Sequence, residues 1–286
     1  MSATTSAVRV GLDGLSRVSP SLGGRASLFF FRRAFGRARV RESEAAVHRT
    51  AVVEHFREAG LDVVTYRWGS GERPVLLLHG WKSRSSRFAL TVAALVERGY
   101  SPLSFDAPGH GDSAGSGSTV LDYQRVSQHL QRRYGPFESV IAHSFGVLAA
   151  FYAIGQGLRT KSLVALGGVS SFPFLVEEFA RLTGIGPRAG MALRASISRH
   201  LFPHLDPWSS FDATRTTGSV DVPILVIHDE DDPTVPVVHS ELLEAAFGPQ
   251  LRAIRTRGLG HHLMSKEQLV PEILAFVRLH DHEEAR

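Results

Sequence analysis

An α/β fold with a mostly parallel central sheet flanked by helices is predicted for this chain by two features of its sequence. Short unbroken apolar runs, of the kind found in strands covered on both faces, alternate with stretches of helical period. That rhythm is interrupted once, at about 169–220, by helical sequence rich in large apolar residues, which reads as a small helical cap insertion. Strands that alternate with helices in this way join by crossovers and lie parallel.

Leu61 to Trp68 alternates enough for a strand, and Pro74 to His79 is a short continuous apolar run. Arg87 to Arg98 carries Phe88, Leu90, Val92, Leu95 and Val96 at helical spacing and stops at Gly99, a residue suited to a helix C-terminus. Pro102 to Asp106 is again a strand. Then follow a helix around Val120 to Tyr134, a strand Ser139 to His143, a helix Phe145 to Gly155 and a strand Ser162 to Leu166. Within the insertion, helices are expected near Leu175 to Leu182 and Ala189 to Phe202. The alternation resumes with strand Ile224 to His228, helix Val238 to Phe247, strand Leu251 to Thr256 and a last helix Gln268 to Leu279.

Composition narrows the function classes. The 286 residues are 43% hydrophobic and 21% charged, which suits a globular chain with one large core. No Cys occurs, so disulfides, thiolate metal sites and a Cys nucleophile are excluded together. The uncharged apolar runs are well short of the roughly 18 residues a membrane span needs, so the expected protein is soluble or at most peripheral. The net charge of +4 is unevenly placed: residues 1–41 hold eight Arg and the single acid Asp13, a balance of +7, and the remaining residues carry 4 − 7 = −3. A mildly acidic body does not suit nucleic acid, and none is expected as a partner.

Residues 1–45 are rich in Ser, Gly and Arg, with an apolar cluster from Leu28 to Phe31, and are expected to form a loosely ordered N-terminal arm beside a main domain of residues 46–286. The expected location is the cytoplasm. The alternative is an organelle address, because an Arg-rich, acid-poor leader resembles a transit peptide. An anionic membrane surface would also suit it.

The chemistry concentrates at strand ends. Ala142-His143-Ser144-Phe145-Gly146 lies between a strand and a helix, and small residues two before and two after a Ser permit the sharp turn that exposes its hydroxyl. A Ser hydroxyl is a weak nucleophile near neutral pH and requires a base, usually His, itself oriented by a carboxylate. The strand ending at His228 is followed by Asp229-Glu230-Asp231-Asp232-Pro233-Thr234-Val235-Pro236, and the next strand by Gly258-Leu259-Gly260-His261-His262. Three adjacent aspartates and two adjacent histidines compete for the acid and base roles. Despite 14 His, no metal-ligand spacing and no phosphate-binding glycine motif occurs, so no metal and no cofactor are expected.

These motifs, with His79-Gly80-Trp81 and Asp106-Ala107-Pro108-Gly109-His110-Gly111-Asp112-Ser113, fall in the order found in α/β-hydrolases, and the chain resembles that superfamily from about Val47 to His280. The resemblance implies an α/β-hydrolase fold with Ser144 as nucleophile, His261 as base and Asp232 as the orienting acid, the last because the family acid precedes a segment ending in Val-Pro. It implies an oxyanion hole from the backbone N–H groups of Trp81 and Phe145, and places His79, Gly80 and His143 along the substrate-binding site. One departure is Ala142, where Gly is the commoner residue; another is Asp229, where Gly is common.

The expected activity is hydrolysis of a carboxylic ester or thioester through an acyl-serine intermediate, acting on a small-molecule acyl substrate. Phe172, Phe174, Leu175, Phe179, Leu182, Met191 and Leu193 in the insertion suggest a hydrophobic one. Acyl transfer, peptide cleavage or C–C bond chemistry with the same three residues stays open, as does a non-catalytic binding protein, because fold and triad do not fix the substrate.

Overall fold

The computed structural model describes residues 3–33, 36–58 and 60–280, which divide into two compact units. The larger comprises residues 34–170 and 213–286 and contains one eight-stranded sheet. Its strands are β1 (Val52–Glu58), β2 (Leu61–Arg67), β3 (Pro74–Leu78), β4 (Ser101–Phe105), β5 (Ser139–His143), β6 (Leu163–Leu166), β7 (Ile224–Asp229) and β8 (Leu251–Thr256). They lie in the order β1-β2-β4-β3-β5-β6-β7-β8. β2 runs antiparallel to β1 and β4, and every other pairing is parallel.

Each parallel crossover needs a connection long enough to return along the sheet, and helices such as Val120–Tyr134, Phe145–Gly155 and Val238–Phe247 supply it. Helices on the faces explain why β3, β5, β6 and β7 are buried at every position, and hence why their central residues read as apolar runs. The helix Val120–Tyr134 begins with a capping box in which Thr119 and Asp122 satisfy each other's backbone N–H groups. The parallel register brings the carboxyl ends of β5, β7 and β8 to one edge of the sheet, where Asp229 pairs with Thr256.

In the larger unit, β1 and a helix before it have no reading in the sequence. β1 buries Phe56 while Val52 and Val53 are exposed, so it has no apolar alternation to read. It is an edge strand held by its antiparallel register with β2. The helix Glu42–His48 is anchored through a buried carboxylate: Glu44 accepts from the Ser86 hydroxyl at 2.7 Å and pairs with Arg87.

The smaller unit comprises residues 1–33 and 171–212. The expected loose arm of residues 1–45 is not what is found: Ala3–Val18 and Pro20–Phe31 are helices, and the division between units falls after Arg33. They form one unit with the insertion, whose helices are Phe172–Thr183, Pro187–Ser196 and Pro207–Ser210, with a π-helical turn Ile197–Leu201. The Gly and Ser residues that suggest a loop serve close helix packing instead. A side chain at Gly24 would overlap the Ala192 carbonyl, and Ser16, Gly23 and Ser27 are buried. Ser19 caps the second helix by accepting from the Leu22 N–H, and Pro20 occupies its first position.

Packing within this unit also accounts for part of the apolar set in the insertion. The Phe172 ring meets those of Phe31, Phe202 and Phe211, and Phe179 meets Phe31. Leu193 is fully buried, whereas Leu182 and Met191 are exposed. Among the described residues no helix is long and apolar enough to cross a membrane.

Candidate active site

Ser144 directly follows the last residue of β5 and precedes the helix Phe145–Gly155. Its backbone has φ 56° and ψ −121°, a positive-φ conformation that costs a non-glycine residue on the order of 1–3 kcal/mol. The chain can turn this sharply because its neighbours are small. A Cβ at Gly146 would overlap the Leu78 carbonyl oxygen and lie 2.8 Å from that of His79, and one at Gly80 would lie 2.8 Å from the Ser144 Cβ. We expect Gly146→Ala to lower unfolding stability by about 1–3 kcal/mol or more, because the obstacle is β3 backbone; a urea-unfolding midpoint equal to wild type would contradict this.

His261 reaches Ser144 from the loop after β8. Its Nε2 lies 3.0 Å from the Ser144 Oγ, and its Nδ1 lies 2.7 Å from the Asp232 Oδ2. An ionised carboxylate only accepts, so Nδ1 carries the proton and donates it to Asp232, which leaves Nε2 to accept from the Ser144 hydroxyl. Asp232 also accepts, through Oδ1, from the N–H groups of Thr234 at 2.8 Å and Val235 at 3.0 Å. Burial works against its ionisation, but these bonds outweigh that and hold the carboxyl below its ordinary value.

The competing residues are placed elsewhere. Asp231 accepts from the Gly258 N–H at 3.1 Å, and Asp229 bonds to Thr256 and Leu259 rather than to the imidazole. The His262 ring centroid lies 5.8 Å from that of His261.

Of the residues expected to line substrate, His79 is instead enclosed in the framework. It is fully buried, its Nδ1 donates to the Gly80 carbonyl at 2.8 Å and its Nε2 accepts from the Ala107 N–H at 3.0 Å. With both ring nitrogens engaged it links the loops after β3 and β4, and burial lowers its affinity for a second proton. His143 donates from Nε2 to the His261 carbonyl at 2.8 Å, so it holds the His261 main chain in place from behind. Burial, then the neighbouring His261, pushes the His143 imidazole down to about 3. Gly80 packs against Ser144, as described above.

Phe145 is the first residue of its helix, so its N–H has no acceptor one turn earlier in that helix. Trp81, in the loop after β3, packs its ring against that of Phe145 with centroids 5.8 Å apart.

A family model described as the alpha/beta hydrolase family matches residues 75–270. The chain belongs to this family. Among curated relatives, a non-heme haloperoxidase of Rhodococcus erythropolis is 24% identical over 268 residues, covering 76% of this chain and 96% of that protein. Among solved structures, an esterase of Pyrococcus furiosus superposes with a TM-score of 0.62 at 18% identity, covering 87% of this chain and 96% of the other. An esterase of a Rhodococcus species gives 0.59 at 19% identity, with 81% and 99% covered. At these identities the structural likeness concerns the alpha/beta hydrolase fold alone.

Three supports of this alpha/beta hydrolase site have no motif that singles them out. His228 donates from Nε2 to the Val235 carbonyl at 2.9 Å and so braces the turn that carries Asp232. Arg84 bonds Asp106 and Asp112, drawing the loop after β3 onto the loop after β4. Arg37, from the segment before β1, donates to the carbonyls of Gly111, Ser113 and Gly115. Arg84 and Arg37 join segments far apart in the chain, which only spatial proximity reveals.

Proposed function

We propose that this chain hydrolyses a carboxylic ester or thioester of a small molecule through an acyl-Ser144 intermediate. The observation that carries this reading is the unbroken Ser144–His261–Asp232 relay at the carboxyl edge of the sheet. Names of related proteins, two of them esterases, are consistent with it.

In this reading Ser144 Oγ attacks the carbonyl carbon while its proton passes to His261 Nε2, and Asp232 stabilises the imidazolium that forms. The negative charge that develops on the carbonyl oxygen is met by the N–H groups of Trp81 and Phe145. Such a donor is worth about 3–4 kcal/mol of barrier. His261 then gives its proton to the departing alkoxide or thiolate as the C–O or C–S bond breaks. A water molecule, deprotonated by the same nitrogen, adds to the acyl carbon, and collapse releases the acid and returns the proton to Ser144.

The test is labelling by a fluorophosphonate probe together with turnover of a graded series of p-nitrophenyl esters. Wild-type protein is expected to label at Ser144, and Ser144→Ala to lose labelling and about 10⁴-fold or more of kcat. Full retained turnover in Ser144→Ala, or folded wild-type protein inert to the probe, would reject the proposal.

A further inference from the structure

We propose that Asp229 is a positioning residue, the carboxylate that locks the loop carrying His261 to the loop carrying Asp232 and so sets the Ser144–His261 distance. The inference rests on the reading of Ser144 as nucleophile given above.

Asp229 is the last residue of β7 and stands in register with Thr256, the last residue of β8. Its side chain is fully buried, and its two oxygens are divided between the two loops. Oδ2 accepts from the Thr256 hydroxyl at 2.7 Å and from the Leu259 N–H at 2.9 Å, two residues before His261. Oδ1 accepts from the Asp231 N–H at 3.1 Å, one residue before Asp232. The main chain supports the same junction, with Glu230 N–H donating to the Thr256 carbonyl at 2.8 Å.

The base loop has a particular need for such a tether. Gly258 and Gly260 both take positive φ, 74° and 68°, so the segment leading to His261 contains two of the least restricted residues available. A carboxylate suits the place because it offers acceptors on both sides and no donor. Although burial opposes ionisation, the bonds from Thr256, Leu259, Gly260 and Asp231 prevail and hold the carboxyl below its ordinary value. An amide cannot substitute. Leu259 and Asp231 present obligate N–H donors to opposite oxygens, so whichever way an Asn is turned, its NH₂ faces one of them.

The test compares Asp229→Asn, Thr256→Val and Thr256→Ser with wild type, measuring kcat and KM for an ester and normalising to sites titrated by the fluorophosphonate. Misplacing a catalytic group by about 1 Å costs on the order of 100-fold. Asp229→Asn is therefore expected to lose about 10- to 100-fold in kcat per titrated site with KM within about threefold, Thr256→Val to lose less, and Thr256→Ser to retain activity. A role confined to stability would lower the titratable fraction and leave kcat per site unchanged. That outcome for Asp229→Asn overturns the inference, and if this variant does not fold, the same outcome for Thr256→Val does so. Wild-type protein that does not label would instead remove the reading of Ser144.

Discussion

Asp232→Asn is expected to lower kcat for ester hydrolysis by about 10⁴-fold while the protein stays folded. The Asp232 Oδ1 already receives the Thr234 and Val235 N–H groups, so an Asn placed to keep those bonds turns its NH₂ toward His261. That amide donates to Nδ1 and selects the tautomer with the proton on Nε2, which cannot accept from the Ser144 hydroxyl. Asp231→Asn, one residue away, is expected to stay within about fivefold of wild type, because the amide oxygen still accepts from the Gly258 N–H. Steady-state kinetics of the two variants, with circular dichroism to establish folding, decide between the acids. Comparable losses in both, or less than tenfold in Asp232→Asn, would count against Asp232 as the orienting group.

Acid is expected to unfold the protein well before its carboxylates titrate. Burial pushes the His110 and His143 imidazoles down to about 3 and that of His239 to about 4, against an ordinary value of 6.5. All three are buried: His110 donates to the Pro108 carbonyl, His143 to the His261 carbonyl, and His239 contacts the Ser170 hydroxyl. A group whose value is lower in the folded chain leaves the unfolded chain to bind the proton first. Stability is therefore complete above pH 6.5 and declines as the pH falls from there toward 4.

Each such histidine contributes a slope of about 1.4 kcal/mol per pH unit, and three together about 4 kcal/mol per unit. Against a typical total stability of about 5–15 kcal/mol, two pH units remove most of it. Asp229 and Asp232, held below their ordinary values, act in the same direction but only as the pH falls below about 4. Urea midpoints at pH 7.5, 6.5 and 5.5 check this. The midpoint should change little in the first interval and fall in the second; equal midpoints at pH 7.5 and 5.5 would refute it.

The sequence by itself determined the order of the strands and their crossover helices from β2 onward and the motifs that carry chemistry. Both properties are local: strands β3, β5, β6 and β7 announce themselves because double burial leaves their central positions apolar, and the turn at Ser144 because only small residues fit two places before and after it. The edge strand β1 escaped because one face and one side of it meet solvent and the pattern dissolves. The Val-Pro segment already points to Asp232 in the sequence, but only the tertiary structure shows that Asp232 alone of the three neighbouring aspartates meets the His261 imidazole, while Asp229 and Asp231 face other N–H and hydroxyl groups. It also placed two packed helices, Ala3–Val18 and Pro20–Phe31, within the expected loose arm of residues 1–45. Their stability comes from the faces they bury against the insertion some 140 residues later, a contact that no local pattern records.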